Sequence, residues 1–207
     1  MRTVYLIRHG IAMDREEFRG NDLDRPLTGS GEEKTLQAMK GLVRYLEMRA
    51  EAPRILTSPA VRALQTAEIF ARARGKTAKP QVIDRLKPGA NCLDYLETMI
   101  YSQISDSSDE VLLIFGHEPE ISETCSLLSN LHRIQAFYST LWSSPEPHSE
   151  TLAELQHWLP SDEGEITVVE GSMAFRIKKA GAVRIVLDES GAEFQALLPP
   201  QILRAMA

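Results

Sequence analysis

The chain has 207 residues, 43% of them hydrophobic and 25% charged, with a formal net charge of −6 at pH 7. That is the make-up of an ordinary globular protein with apolar material enough for a core, and it argues against a disordered chain. The acidic balance argues against nucleic acid or an anionic membrane surface as partner.

No apolar run approaches the roughly 18 residues of a membrane span, and the N-terminus carries no signal-peptide core, so a cytoplasmic protein is expected. Cys92 and Cys125 are the two cysteines; they stand in no metal-type spacing and suggest no disulfide framework.

Residues 3–7 (Thr-Val-Tyr-Leu-Ile) are apolar without alternation, which predicts a strand covered on both faces. They end in Arg8-His9-Gly10, where a cation, an imidazole and bare backbone can reach one ligand. Residues 11–27 are polar and aperiodic and read as a loop that frames a site. Thr28, or Ser30 paired with Glu33 in a capping box, opens a helix whose apolar face is Leu36, Met39, Leu42, Val43 and Leu46.

Pro53 then breaks the chain before a second strand over 54–57. Ser58-Pro59 predicts a helix start, with Ser58 as N-cap and Pro59 at the first helical position. Val61, Leu64, Ala67 and Phe70 would face inward, and Arg62 falls in the first turn. Residues 81–83 read as a third strand, followed by a helix across Leu93, Leu96, Met99 and Ile100. Residues 111–115 (Val-Leu-Leu-Ile-Phe) are the clearest strand; they run into Gly116-His117-Glu118-Pro119, with Pro119 opening a helix through Leu128.

Residues 131–165 differ in character. Pro145, Pro147 and Pro160 punctuate them and Trp142 and Trp158 lie among them, so they read as an insertion, a lid or a contact surface, with a helix over 149–158. Strands are expected over 166–169, 172–177 and 182–187, and a tail through Pro199-Pro200 packing back on the rest. No linker divides the chain, so residues 1–207 are expected to form one domain.

Alternating strands and helices imply a three-layer α/β/α fold with a mostly parallel central sheet. In such sheets ligands bind beyond the carboxyl ends of the strands. Three strand ends deliver Arg8, His9, Arg62 and His117 to that edge, a set suited to a tetrahedral oxyanion. A zinc site would call for Cys, His or carboxylate ligands without flanking arginines. The sequence has no P-loop, no G-x-S-x-G and no dinucleotide-binding glycine fingerprint.

Arg8-His9-Gly10, Arg25-Pro26-Leu27-Thr28 with Gly31, Thr57-Ser58-Pro59 with Arg62 and Gln65-Thr66-Ala67, and Gly116-His117-Glu118-Pro119 together resemble the histidine phosphatase (phosphoglycerate mutase-like) superfamily. Within it the chain is most similar to the small SixA-type phosphohistidine phosphatases, although residues 131–165 are longer than that compact type leads one to expect. The resemblance implies that neutral His9 attacks phosphorus and becomes phosphorylated, while Arg8, Arg62 and His117 hold the phosphoryl oxygens and Gly10 lends backbone. It implies neither metal nor cofactor.

Many members carry a glutamate after the third strand to protonate an alkoxide leaving group. Here that stretch reads Asp84-Arg85-Leu86-Lys87-Pro88-Gly89. Lacking the glutamate, the chain suits P–N better than P–O substrates, because imidazole leaves with less help. The partner expected is a phosphorylated protein, such as a histidine phosphotransfer domain, or else a small phosphorylated substrate. Two alternatives stay open, a small-molecule phosphomonoesterase with Asp84 as acid, and a phosphate-binding module with little turnover.

Overall fold

A computed structural model of the protein describes residues 1–75, 79–102, 110–130, 139 and 176–207. The apolar run at the start forms β1 (Arg2–Arg8), in which Val4, Tyr5, Leu6 and Ile7 are wholly enclosed. The other strands are β2 (Arg54–Thr57), β3 (Gln81–Val82), β4 (Glu110–Gly116), β5 (Ala182–Asp188) and β6 (Gly191–Leu198). They make one six-stranded sheet in the order β3-β2-β4-β1-β5-β6. The first four in that order are mutually parallel, and β5 runs antiparallel to both β1 and β6.

Side chains alternate across a strand, so each central strand feeds two cores. Val4, Leu6, Leu112, Ile114 and Ile185 pack beneath α3 (Cys92–Tyr101) and α4 (Glu120–Ser129). Tyr5, Ile7, Leu113 and Phe115 pack on the opposite face against α1 (Gly29–Met48), α2 (Val61–Ala73) and α5 (Pro200–Met206). This is the expected three-layer arrangement with a mostly parallel sheet. At about 1.5–3 kcal/mol per enclosed large aliphatic side chain, the two cores supply most of the favourable free energy.

Several local expectations change. Thr28 is the cap of α1, its hydroxyl accepting the Gly31 N–H at 2.9 Å. Ser58 does not cap α2: that helix begins at Val61 after Ala60, and the buried Ser58 hydroxyl is drawn into the sheet edge instead. The inner face of α2 is also rotated from Val61 and Leu64 towards Arg62, Ala63, Thr66 and Ile69, because the helix must serve the sheet edge as well as the core. Pro119 precedes α4 rather than opening it.

The tail is more ordered than expected. Residues 191–198 form edge strand β6, with Ala192, Phe194 and Ala196 turned inward and Glu193 and Gln195 exposed, and α5 follows. The helix expected over 149–158 lies outside the described residues, as does the insertion expected at 131–165 save Ser139. So do the strands expected over 166–169 and 172–177, save Arg176 and Ile177, which belong to no strand.

Cys92 and Cys125 are free and buried beneath α3 and α4. Burial pushes both thiols up, Cys92 to about 12, so they behave as small apolar groups. Among the described residues no helix is long and apolar enough to cross a membrane.

The seat of α5 on α1 depends on Gly41, where an added Cβ would collide with the Leu203 carbonyl oxygen. Gly41→Ala should destabilise the protein by about 1–3 kcal/mol in chemical denaturation, since rigid backbone must shift. Gly29→Ala, with nothing within 4 Å, should stay within about 0.5 kcal/mol of the parent protein. Equal midpoints for the two variants would show that the α1–α5 approach carries no constraint.

Candidate active site

The register of three strands assembles the site. In the β1–β4 pairing Arg8 lies opposite Gly116, so the two strands end level, and His9 and His117 each follow by one residue. The His9 N–H continues the ladder to the Gly116 carbonyl at 3.0 Å, and the Ser58 N–H does the same from β2 to Phe115 at 3.0 Å. Ser58, His117 and His9 therefore stand side by side beyond the sheet. The two imidazole centroids are 5.2 Å apart, and His117 Nε2 and Ser58 Oγ share a hydrogen bond of 2.8 Å.

His9 Nδ1 lies 2.7 Å from the Gly10 carbonyl oxygen. A carbonyl only accepts, so Nδ1 carries the proton and Nε2 keeps its lone pair. Burial, followed by the charges of Arg62, Arg8 and Lys179, lowers the His9 pKa to about 3 despite that hydrogen bond. Burial, then His9 and Arg62, lowers His117 to about 2. Both imidazoles are neutral at ordinary pH, the state a nitrogen nucleophile needs. Cations were expected to keep His9 neutral; enclosure does more.

Gly10 contributes by orientation. Its carbonyl holds His9, and its N–H donates to Thr66 Oγ1 at 3.0 Å. Thr66 in turn donates to the Arg62 carbonyl at 2.7 Å, and Gln65 accepts the Leu27 N–H at 2.8 Å. The stretch 65–67 is thus a clasp joining α2 to the strand end and to the 25–28 loop. On the opposite face, Tyr95 of α3 accepts the His117 N–H at 3.1 Å, and Gly116 leaves room for its hydroxyl. Tyr95 gave no sign in the sequence beyond its place among core residues.

Arg8 donates through Nη1 to the Ile177 carbonyl at 2.9 Å, while the Ile177 N–H is held by Glu118 Oε1 at 2.8 Å. Arg62 donates to the Asp22 carbonyl at 2.7 Å and pairs with its carboxylate at 2.9 Å. Asp22, missed in the sequence reading, sits in a short 3-10 turn (Asp22–Asp24) that Asn21 caps, and that asparagine cap was the available signal. Burial opposes the Asp22 charge, but the hydrogen bond from Arg25 and the charge of Arg62 hold its carboxyl below the usual range. Among the described residues Arg8 Nε, Arg62 Nε and His117 Nδ1 are buried without a hydrogen-bond partner. The two arginine Nε–H donors suit an anion with several acceptor oxygens, and His117 Nδ1 adds a third donor in the tautomer where Ser58 donates to Nε2.

Asp84, the carboxylate expected nearest the leaving group, is exposed at the start of a 3-10 turn (Asp84–Leu86). The carboxyl that reaches the following turn is that of Glu120, only 4% exposed, whose Oε1 accepts the Gly89 N–H at 2.7 Å while Oε2 has no partner. Glu118 is occupied by the N–H groups of Ile177 and Ser122.

Comparison with known proteins agrees with this architecture. The family model described as histidine phosphatase superfamily (branch 1) matches residues 4–93. A protein of Picosynechococcus sp., itself described as uncharacterized, is 38% identical over 120 residues, 58% of this chain and 68% of that protein. Among solved structures, the protein histidine phosphatase SixA complexed with tungstate has a TM-score of 0.60 at 19% identity, covering 97% of this chain and 99% of that one. The phosphoserine phosphatase of Entamoeba histolytica in complex with 3-phosphoglyceric acid has a TM-score of 0.55 at 13% identity, covering 98% and 100%. The fold is phosphoglycerate mutase-like.

Keeping two histidines neutral has a cost in acid. Their ordinary value is 6.5, so the unfolded chain binds these protons where the folded protein does not. The stability they contribute is complete above pH 6.5 and is lost progressively as pH falls towards 3. Each can steepen the acid limb by up to about 1.4 kcal/mol per pH unit. A His9→Gln/His117→Gln variant should show a flatter limb in denaturation followed against pH; an unchanged slope would mean that neither imidazole is held neutral.

Proposed function

The chain belongs to the histidine phosphatase superfamily, and on that premise we propose that it is a phosphatase acting through a phosphorylated His9, with phosphohistidine on a protein as its substrate. His9 Nε2 attacks phosphorus, forming one P–N bond as the bond to the leaving group breaks. Arg8 and Arg62 offer positive charge and hydrogen bonds to the phosphoryl oxygens, and neutral His117 offers a hydrogen bond, so side chains stabilise the charge. Water then attacks the phosphoenzyme, releasing phosphate and returning neutral His9. Arg62 keeps its Nε–H for the phosphoryl group while its terminal nitrogens hold Asp22.

The observation that carries this reading is the His9 tautomer: a buried, neutral imidazole with Nδ1 committed to Gly10 and Nε2 free beside two guanidinium groups. The choice of a P–N substrate rests on the nearby carboxyls. Asp22 is held ionised, Glu118 accepts two backbone N–H groups, and Asp84 faces solvent, so none is set up to protonate an alkoxide.

A second reading, a small-molecule phosphomonoesterase, is favoured by one observation. Glu120 is a buried carboxyl with a free oxygen beside the turn after β3, near enough to Arg62 to influence its charge.

Incubation with a phosphohistidine-bearing protein and with an alkyl phosphate, in the presence of chelator, tests both. Acid-labile phosphate should be trapped on His9, and His9→Ala should lower phosphohistidine turnover at least about a thousandfold. Phosphate binding without a phosphoenzyme, and with activity indifferent to His9→Ala, would leave only a binding module. Strong alkyl phosphate turnover that Glu120→Gln lowers about a hundredfold, with P–N cleavage spared, would favour the second reading.

A further inference from the structure

The segment Arg176-Ile177-Lys178-Lys179 crosses the mouth of the site and is bonded to it on both sides of Lys179. Ahead of that lysine, the Ile177 carbonyl takes Arg8 Nη1. Behind it, the Ala180 N–H donates to the carbonyls of Arg8 at 3.0 Å and His9 at 3.2 Å, and the Gly181 carbonyl accepts the Arg8 N–H at 3.1 Å. Ala180 adopts φ +60°, a left-handed conformation that is strained for an alanine. A strained turn at the nucleophile thus carries an exposed lysine whose position its neighbours dictate.

Among the described residues the Lys179 side chain makes no hydrogen bond that the fold needs. Among the described residues no carboxylate pairs with it, yet its charge is felt at His9, it feels the charges of Arg8 and Arg25, and Asp14 is the acidic group that faces it. Burial and then the two arginines lower its pKa, as expected for cations gathered without enough counter-charge. Asp22, the other nearby carboxylate, is already shared between Arg25 and Arg62. Arg176 and Lys178 are exposed on either side. In a chain of net charge −6, this is a local surplus of positive charge.

We propose that Lys179, with Arg25 beside it, forms a second anion subsite at the mouth, taking a carboxylate or further phosphate that the substrate carries next to the transferred phosphoryl group. This rests on the phosphatase reading above and narrows its substrate to one with two anionic centres. The second anion can belong to an acidic side chain beside the phosphorylated residue of a protein or to a small molecule.

Equilibrium binding of two phosphonates that cannot be hydrolysed, methylphosphonate and phosphonoacetate, isolates the subsite from turnover. Phosphonoacetate, which adds a carboxylate, should bind about fivefold more tightly. Lys179→Ala should erase that gap while leaving methylphosphonate affinity unchanged, and Lys179→Arg should retain it.

A gap that survives Lys179→Ala, or no gap in the parent protein although methylphosphonate binds, overturns the subsite and leaves the phosphatase reading standing. Failure of both probes to bind overturns the phosphate site itself. Once the gap is erased, a salt-sensitive rise in KM for a phosphohistidine-bearing protein in Lys179→Ala assigns the second anion to the protein surface. An unchanged KM there assigns it to a small substrate.

Discussion

The pairing of Arg8 with Gly116 across β1 and β4 brings two strand ends level, and almost everything at the site follows from it. Parallel neighbours lie about 4.8 Å apart, so residues one step beyond level ends are held at side-chain contact distance. His9 and His117 occupy those places, and β2, paired to β4 on its other edge, adds Ser58. A slip of one residue would send each side chain to the opposite face and separate the imidazoles. The enclosed residues of β1 and β4 prevent that slip, because it would exchange their two cores.

The same enclosure sets the chemistry. Imidazoles at the edge of a packed sheet lose water, and that loss, more than any one neighbouring charge, keeps both neutral. The Gly10 carbonyl then selects which nitrogen of His9 keeps its proton. Neutral histidines can stand beside Arg8 and Arg62 without mutual repulsion, whereas imidazolium ions could not. Positive charge is left with the guanidinium groups, which have partners among carbonyls and at Asp22 yet retain buried N–H positions.

The site is also closed from the C-terminal side of the chain. Residues 176–181 are tied to Arg8 and His9 through backbone groups and to α4 through Glu118, so His9 is held by strands and by a strap that crosses their ends. Glu118 accepts the Ser122 N–H in the first turn of α4 and also tethers Ile177. Thr66 and Gln65 act similarly from α2. These are the residues whose types recur in the motifs without touching the reacting atoms.

Much of this was legible beforehand. Continuous apolar runs at 3–7 and 111–115 fit strands covered on both faces, and helical periodicity after 28 and 92 supplies the covers, so the layers and the placing of Arg8, His9, Arg62 and His117 near strand ends follow from local pattern. The alternation at 192–196 was there to be read but was obscured by the small Ala192 and Ala196 and by the exposed, apolar Leu197 that follows. What sequence pattern does not contain is which strands are neighbours and which atoms meet. The role of Ser58 at His117 rather than at a helix start, the pairing of Asp22 with Arg62, the tether from Glu118 to Ile177 and the presence of Lys179 at the mouth all join residues far apart in the chain. Local chemistry specifies elements through backbone and solvent, whereas these contacts arise only when register and burial bring distant side chains to the same sheet edge.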